Sequence, residues 1–323
     1  MLNVLEIMQT DDRHKKTPAD PAYGEGAAFV IDRYVPIELA AVPITDCGFL
    51  RSDACYDVAS VSRGNFFRLE HHLDRFFRSM TIFALSSPFE RSKIRNILIE
   101  LARLSGFRDS YIWWAVTRGD TPHGVRDRLD PAKYENRFYA FAIPYVAIND
   151  DEQRQRGQDL IISEDYIRIP RNSVEPTAKN FHWLDLMMSL FEAGKKGAEW
   201  SLLLGINGYL TEGPGVNAFV VKNGMVLTPL SGCLNGVTRQ TVLDLCAMEN
   251  IPCSETNITK SMVLDADEIF ITSTAGGIMP GGTINGKPIG NRKGPGPITA
   301  RLHDLYWNKR WEGWDATPVP YAG

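Results

Sequence analysis

A mixed α/β (α+β) fold in two parts is what this sequence predicts, and three observations predict it. Strand-like apolar runs and runs of helical period mix along the whole chain, with no internal repeat and no low-complexity tract. The 323 residues suffice for two domains of roughly 100–200 residues each. The most polar interior break, "INDDEQRQRGQD" at 148–159, falls near the middle of the chain. The expected division is a smaller α/β domain over residues 1–148, with 1–25 as an arm, a linker over 149–154, and a larger domain over 155–323.

The elements follow in order. "KKTPADPAYGEG" is polar and reads as arm or loop, and "AAFVIDRYVPIEL" is strand-like. "CYDVASVSRGNFFRL" leads into a strand at 58–61, a turn at Arg63-Gly64-Asn65 and a strand at 66–68. "LEHHLDRFFRSM" reads as a helix. "ERSKIRNILIELARLSG" is another, with Ile94, Ile97, Leu98, Leu101 and Leu104 on one face and Gly106 as its stop. "YIWWAVT" and "FYAFAIPYVA" look like buried strands, as does "DLIISEDYIRI" beyond the polar break. A helix follows Lys179, with Trp183, Leu186, Met187, Leu190 and Phe191 at helical spacing. "WSLLLG", "NAFVV" and "MVLTP" are strands, the last two joined by the tight hairpin signal Lys222-Asn223-Gly224. "GVTRQTVLDLCAMEN" is a helix behind a glycine. "DEIFITST" is a strand that runs into the glycine-rich "AGGIMPGG", and a last helix lies near 297–309.

Composition narrows the function class. The chain is 44% hydrophobic and 23% charged, with a formal net charge of -4 and a pI near 5.9, which gives no reason to expect nucleic acid as a partner. No apolar run is long enough to span a bilayer. The N-terminus lacks the basic-then-apolar order of a signal peptide. The five cysteines are odd in number and contain no CxxC pair. They predict neither a disulfide framework nor a zinc site, and a reducing cytoplasm is the expected compartment.

Several residues stand out chemically. Lys179, in "EPTAKNFHWLDL", sits between a Pro-Thr turn and the aromatic pair Phe181 and Trp183. An exposed lysine at a helix start is the ordinary reading. A partly desolvated amine, with Thr177 as a cap, would instead be a nucleophile towards carbonyls. Glu212, in "YLTEGPGVNAFVV", ends a strand-like run beside Gly213, Pro214 and Gly215. It is either a hairpin-end glutamate in water or a carboxylate aimed at a pocket, where it could hold a pyridinium proton with Asn217 in support. In "LNGVTRQT", Gly236 precedes a helix whose first turn carries Val237 and Thr238, a setting that suits a phosphate. "TSTAGG" offers Ser273 and Thr274 at a strand end. Neither stretch matches a nucleotide-binding motif. His71 and His72 are adjacent and point to different helix faces, so no metal is expected there. Asp265, Asp267 and Glu268 would suit hydrolysis, but a solvated turn before a strand is the simpler reading. Ser52 and Ser273 lack a nucleophile elbow.

Taken in order, "RSDACYDVASVSRGNFFRLEHHLDRF", "EPTAKNFHWLDL", "YLTEGPGVNAFVVKNG", "LNGVTRQTV" and "TSTAGGIMP" resemble the fold-type IV pyridoxal-phosphate aminotransferases. That family includes branched-chain and D-amino acid aminotransferases, aminodeoxychorismate lyase and the (R)-selective amine transaminases. The resemblance runs from about Gly26 to the last helix. Its likeness to the amine transaminases is strongest at "SDACYDV", "KNFHW" and "TAGGIMP".

The resemblance implies two mixed α/β domains with the active site between them, and a homodimer with shared sites. It implies pyridoxal 5'-phosphate as cofactor and an amine and a 2-oxo acid such as pyruvate as substrates. Lys179 then stands at the lysine that bonds the cofactor and shuttles the proton, and Glu212 at the carboxylate on the pyridine nitrogen. Arg75 stands at the phosphate-gripping arginine, with Val237 and Thr238 at the phosphate-binding helix start and Thr274 at a second phosphate hydroxyl. Leu234 packs under the ring. Arg51, Tyr56, Val58, Ser60, Tyr111 and Trp113 form the substrate wall, and Trp183, Thr274 and Ala275 line the site. Arg126 or Arg128, in "GDTPHGVRDRLD", is the mobile arginine for a carboxylate. Trp113 is larger than the residue the amine transaminases carry there. An (R)-amine:2-oxo acid transaminase is the expected activity; a branched-chain L- or D-amino acid aminotransferase and a lyase of the same fold are the alternatives.

Overall fold

Alternating apolar residues fold this chain into two sheets, one in each of two units. The computed structural model describes residues 1–17, 19–291 and 294–321. Pro18, Arg292, Lys293, Ala322 and Gly323, which fall within the expected arm and larger domain, lie outside the described residues.

The first unit takes residues 8–146, 178–181 and the stretch from 310 on. Its seven-stranded antiparallel sheet runs in the order Ala316–Pro318, Asn65–Phe67, Ala54–Ser62, Ser110–Thr117, Arg137–Pro144, Ala27–Val30, Arg33–Pro36. The strand Ala54–Ser62 is buried along its length. Side chains alternate across a strand, so Cys55, Ala59 and Val61 join a core with Leu73, Phe76, Leu98 and Trp114. Tyr56, Val58 and Ser60 occupy the opposite face, paired in register with Ala115, Trp113 and Tyr111. Helices Leu69–Ile82 and Arg91–Ser105 supply the apolar periods expected of them. Gly106 ends the second at φ +69°, a left-handed cap.

The second unit takes residues 1–7, 147–177 and 182–309. Its mixed sheet runs in the order Cys253–Thr256, Met225–Pro229, Val216–Lys222, Glu268–Ser273, Gly277–Ile284, Gln158–Ile162, Trp200–Leu202. Glu212–Gly213 pairs beside Val216–Lys222. The expected hairpin turns at Asn223 (φ +50°) and Gly224 (φ +79°). Leu160, Val220, Ile269, Ile271 and Met279 lie in its core.

Some expectations change. No helix begins at Lys179: the helix is Leu184–Lys195, and the Thr177 hydroxyl donates to Glu175 (2.7 Å) instead of capping. Asn180 bridges Cys55, so this short segment lies extended along the strand Ala54–Ser62. "AGGIMPGG" holds a strand, Gly277–Ile284. A Cβ at Gly281 would meet the Leu160 side chain at 2.9 Å, so this glycine allows close packing. The strand in "DLIISEDYIRI" stops at Ile162. Residues 1–25 hold the helix Val4–Thr10, and Leu2 N–H donates to Asp304 (2.8 Å). Within 149–154, Asp150 and Gln153 form a capping box on the helix Asp151–Arg156. Among the described residues, no helix is long and apolar enough to cross a membrane.

Candidate active site

Lys179 is positioned by backbone rather than by a helix. Its N–H donates to Ser79 Oγ (3.1 Å), and its carbonyl accepts from Tyr56 N–H (3.0 Å). Ser79 Oγ also donates to the Arg75 carbonyl (2.9 Å), so one hydroxyl ties the lysine segment to the helix that carries Arg75. The half-buried Lys179 side chain places Nζ 4.4 Å from the centroid of the Tyr56 ring. From there an aromatic ladder continues across the sheet. Tyr56 stacks near Trp113 (5.9 Å), and Trp113 stacks on Phe141 (5.2 Å, 16° between planes). Phe181 stands edge-on to Tyr56 at 5.6 Å. Register explains the ladder: Val58 lies opposite Trp113, and Trp113 opposite Phe141, all on one face.

Behind that face sits a buried charge cluster that sequence reasoning missed. Asp57 accepts from Arg75 through Nε (2.8 Å) and Nη2 (2.7 Å), and from His72 Nδ1 (2.8 Å). His72 and Arg75 are three residues apart and share a helix face. Burial pushes the Asp57 carboxyl up, but the charge and hydrogen bonds of Arg75 outweigh it and hold the group well below the usual carboxylate range. Burial lowers His72 to about 4, against the pull of Asp57, so the ring is neutral and its Nδ1–H donates to the carboxylate. The signal was a single charged residue inside an otherwise uncharged nine-residue strand.

In the second unit Glu212 is the centre. It is 5% exposed; Oε1 accepts from Arg168 Nε (2.7 Å) and Oε2 from Leu234 N–H (3.0 Å). Arg168 also donates to Asp185 (2.7 Å). Burial lowers Arg168, but the charges of Glu212 and Asp185 outweigh that and raise it, so both carboxylates face a permanent cation. Asn217, in register opposite Glu212, donates Nδ2–H to the Leu234 carbonyl (2.8 Å). Gly236 follows, and a Cβ there would overlap Asn217 Oδ1. The helix Val237–Met248 starts at this point, with Val237 and Thr238 buried in its first turn and no side chain capping it. Its leading N–H groups and dipole make an anion site. Ser273 ends the strand next to that of Asn217, and its Oγ accepts from Gly276 N–H (2.9 Å), which fixes the turn bearing Thr274 and Ala275. The left-handed Gly215 leaves room for the Trp183 ring, 2.9 Å from where a Cβ would stand.

The structure therefore joins Lys179, Tyr56 and Arg75 in one unit, and Glu212, Asn217, Leu234, Val237 and Thr238 in the other. Arg51 stands apart: it is exposed at the end of the helix Cys47–Arg51, and its Nη2 donates to Thr121 Oγ1 (2.8 Å). Ser60 is 1% exposed and accepts from Arg310 Nη2 (2.8 Å), so its hydroxyl is already engaged within the same unit. Arg126 and Arg128 are both exposed; Arg128 donates to the Pro122 carbonyl of its own loop (3.1 Å). Among residues missed, Phe141 was legible as an aromatic, whereas Arg168 gave no local signal at all.

A profile of the amino-transferase class IV family matches residues 54–284. The chain is 31% identical over 279 residues to a putative branched-chain-amino-acid aminotransferase of Methanocaldococcus jannaschii, covering 85% of this chain and 93% of that one. It is 30% identical over 272 residues to a D-alanine aminotransferase of Bacillus licheniformis, covering 83% and 91%. Its fold is similar to that of the branched-chain amino acid aminotransferase from Thermobaculum terrenum, solved in its PLP form. That match has a TM-score of 0.80 and 25% identity, and covers 92% of this chain and 99% of that one.

Proposed function

We propose that this chain, which belongs to the class IV aminotransferases, moves an amino group from an R-configured primary amine bearing a ring to a 2-oxo acid such as pyruvate. The enzyme class and its cofactor, pyridoxal 5'-phosphate, follow from the family. The observation that carries the substrate reading is the aromatic ladder of Tyr56, Trp113 and Phe141, which begins at the Lys179 amine. A ring gains stacking and apolar burial on such a surface, and Tyr56, Val58, Tyr111 and Trp113 carry no charge that would oppose it.

The residues fit the cofactor. A lysine amine, a buried carboxylate paired with Arg168, an arginine and an uncapped helix start match an aldehyde, a pyridine nitrogen and a phosphate. When bound, the cofactor supplies an electron sink for the carbon next to the transferred nitrogen. Lys179 takes the proton from that carbon and returns it at the cofactor's C4' carbon, a role worth roughly 10²–10⁴-fold in rate. Glu212 would keep the ring nitrogen protonated and Leu234, braced by Asn217, would contact the ring. Arg75, Val237, Thr238, Ser273 and Thr274 hold the phosphate. Arg126 or Arg128 receives the carboxylate of the 2-oxo acid, and Trp183, Thr274 and Ala275 line the site. We read the enzyme as a cytoplasmic homodimer; the exposed Val125 and Leu129 on the arginine loop support a subunit contact.

The second reading is an amino acid aminotransferase of branched-chain L or D type, favoured by the names of the relatives. Purified enzyme with pyruvate and with 2-oxoglutarate, offered (R)- and (S)-1-phenylethylamine, L-leucine and D-alanine, separates the two. Turnover of an amino acid with none of the (R)-amine would overturn the first reading.

A further inference from the structure

Asp57 is the one charged residue of the strand Ala54–Ser62 and is fully withdrawn from water. A buried carboxylate is costly unless paired and hydrogen-bonded. Here every contact serves one arrangement. Oδ1 accepts from Val58 N–H (2.7 Å), His72 Nδ1 (2.8 Å) and Arg75 Nη2 (2.7 Å), while Oδ2 accepts from Arg75 Nε (2.8 Å). The carboxylate engages Arg75 side-on through two nitrogens, which fixes the plane of the guanidinium. His72, neutral and donating, holds the carboxylate from the helix side. The backbone N–H of Val58 holds it from the strand side, so the sheet determines where the arginine points.

We infer that Asp57 is a positioning residue for Arg75, holding its guanidinium in one plane so that it meets the cofactor's phosphate monoester as a preoriented donor. This rests on the assignment of Arg75 to the phosphate. Planar, bidentate recognition of phosphate depends on that orientation. Simple charge predicts the opposite sign: Asp57 repels an incoming dianion, so removing its charge would tighten phosphate binding. Positioning predicts that removal weakens it. One measurement therefore separates the two.

Apo forms of the wild type, Asp57→Asn, His72→Gln and Arg75→Ala are titrated with pyridoxal 5'-phosphate and with pyridoxal, which lacks the phosphate. Protein fluorescence reports binding, and thermal unfolding of each apo form runs alongside. The expected result for Asp57→Asn is a roughly 10- to 100-fold loss of affinity for the phosphorylated form, with pyridoxal unchanged. For His72→Gln the expected loss is about 3-fold, again confined to the phosphorylated form. Tighter or equal binding of the phosphate form by Asp57→Asn, or an equal loss for both ligands, overturns the inference. Should Asp57→Asn fail to fold, His72→Gln decides: an unchanged preference for the phosphorylated form overturns it. If Arg75→Ala keeps the wild-type preference for the phosphorylated form, the phosphate role of Arg75 itself is wrong, and the inference falls with it.

Discussion

Tyr56 and Lys179 are joined twice: the Tyr56 N–H donates to the Lys179 carbonyl at 3.0 Å, and Lys179 Nζ lies 4.4 Å from the Tyr56 ring centroid. The backbone bond sets where the lysine starts, and the ring face sets where its Nζ ends. That ring is the packing surface of the side chain, so Tyr56→Phe should keep most of the activity and Tyr56→Ala should lose about tenfold in kcat, the scale of one lost aromatic contact. Lys179→Ala should lose at least about 10²–10⁴-fold, and borohydride reduction should fix the cofactor to Lys179 in the wild type alone. Label on another residue would sink the mechanism.

Glu212 and Arg168 form a buried pair at 2.7 Å. Removing one partner of such a pair strands the other charge, at a cost of about 3–5 kcal/mol. Arg168→Met should therefore lower urea-unfolding stability by about that much and reduce activity, although Arg168 is assigned no contact with the cofactor. Unchanged stability would mean that the pair is not desolvated.

His72 makes the fold acid-sensitive. Burial, opposed by the hydrogen bond to Asp57, lowers its pKa from the usual 6.5 to about 4. Between those values the unfolded chain binds the extra proton, so stability falls as the pH drops from 6.5 towards 4, by up to about 3 kcal/mol. The Asp57 carboxyl, depressed below 3.8, adds stability that is complete above that pH and is lost under stronger acid. Urea unfolding across roughly pH 4.5–7 should show the loss in the wild type and a flatter profile in His72→Gln. Parallel profiles would remove His72 from this account.

Trp113 stacks on Phe141 at 5.2 Å. If the ladder takes the donor's ring, Trp113→Ala should lower kcat/KM for 1-phenylethylamine about tenfold, the scale of one lost aromatic contact. Small aliphatic amines should change little. A gain for the aryl amine would show that Trp113 blocks the ring instead of receiving it.

Gly236 has no room for a side chain, since a Cβ would overlap Asn217 Oδ1. Gly236→Ala should cost about 1–3 kcal/mol of stability and weaken the cofactor, because Asn217 and the helix start would both move. Cofactor affinity equal to the wild type would show that the helix start tolerates the shift.

Much of the fold was legible because it is local. The helix Arg91–Ser105 shows in the period of Ile94, Ile97, Leu98 and Leu101, and its end in Gly106. The turn at Asn223 and Gly224 shows in its two residue types, since both adopt positive φ. The start of the helix Val237–Met248 shows in the glycine before it. "EPTAKNFHWLDL" misled because Trp183, Leu186 and Met187 keep helical spacing while the preceding lysine segment pairs with a strand far away in sequence.

What the sequence by itself determined is the family, the order of its motifs and the positions of chemically unusual residues such as Lys179 and Glu212. What only the tertiary structure decided is which partners those residues have. Asp57 meets Arg75 across 18 residues and Arg168 meets Glu212 across 44. The reason is physical: strand register and helix packing select one partner from many equally charged side chains. Burial then makes that single pairing obligatory, because an unpaired charge out of water is too costly to keep.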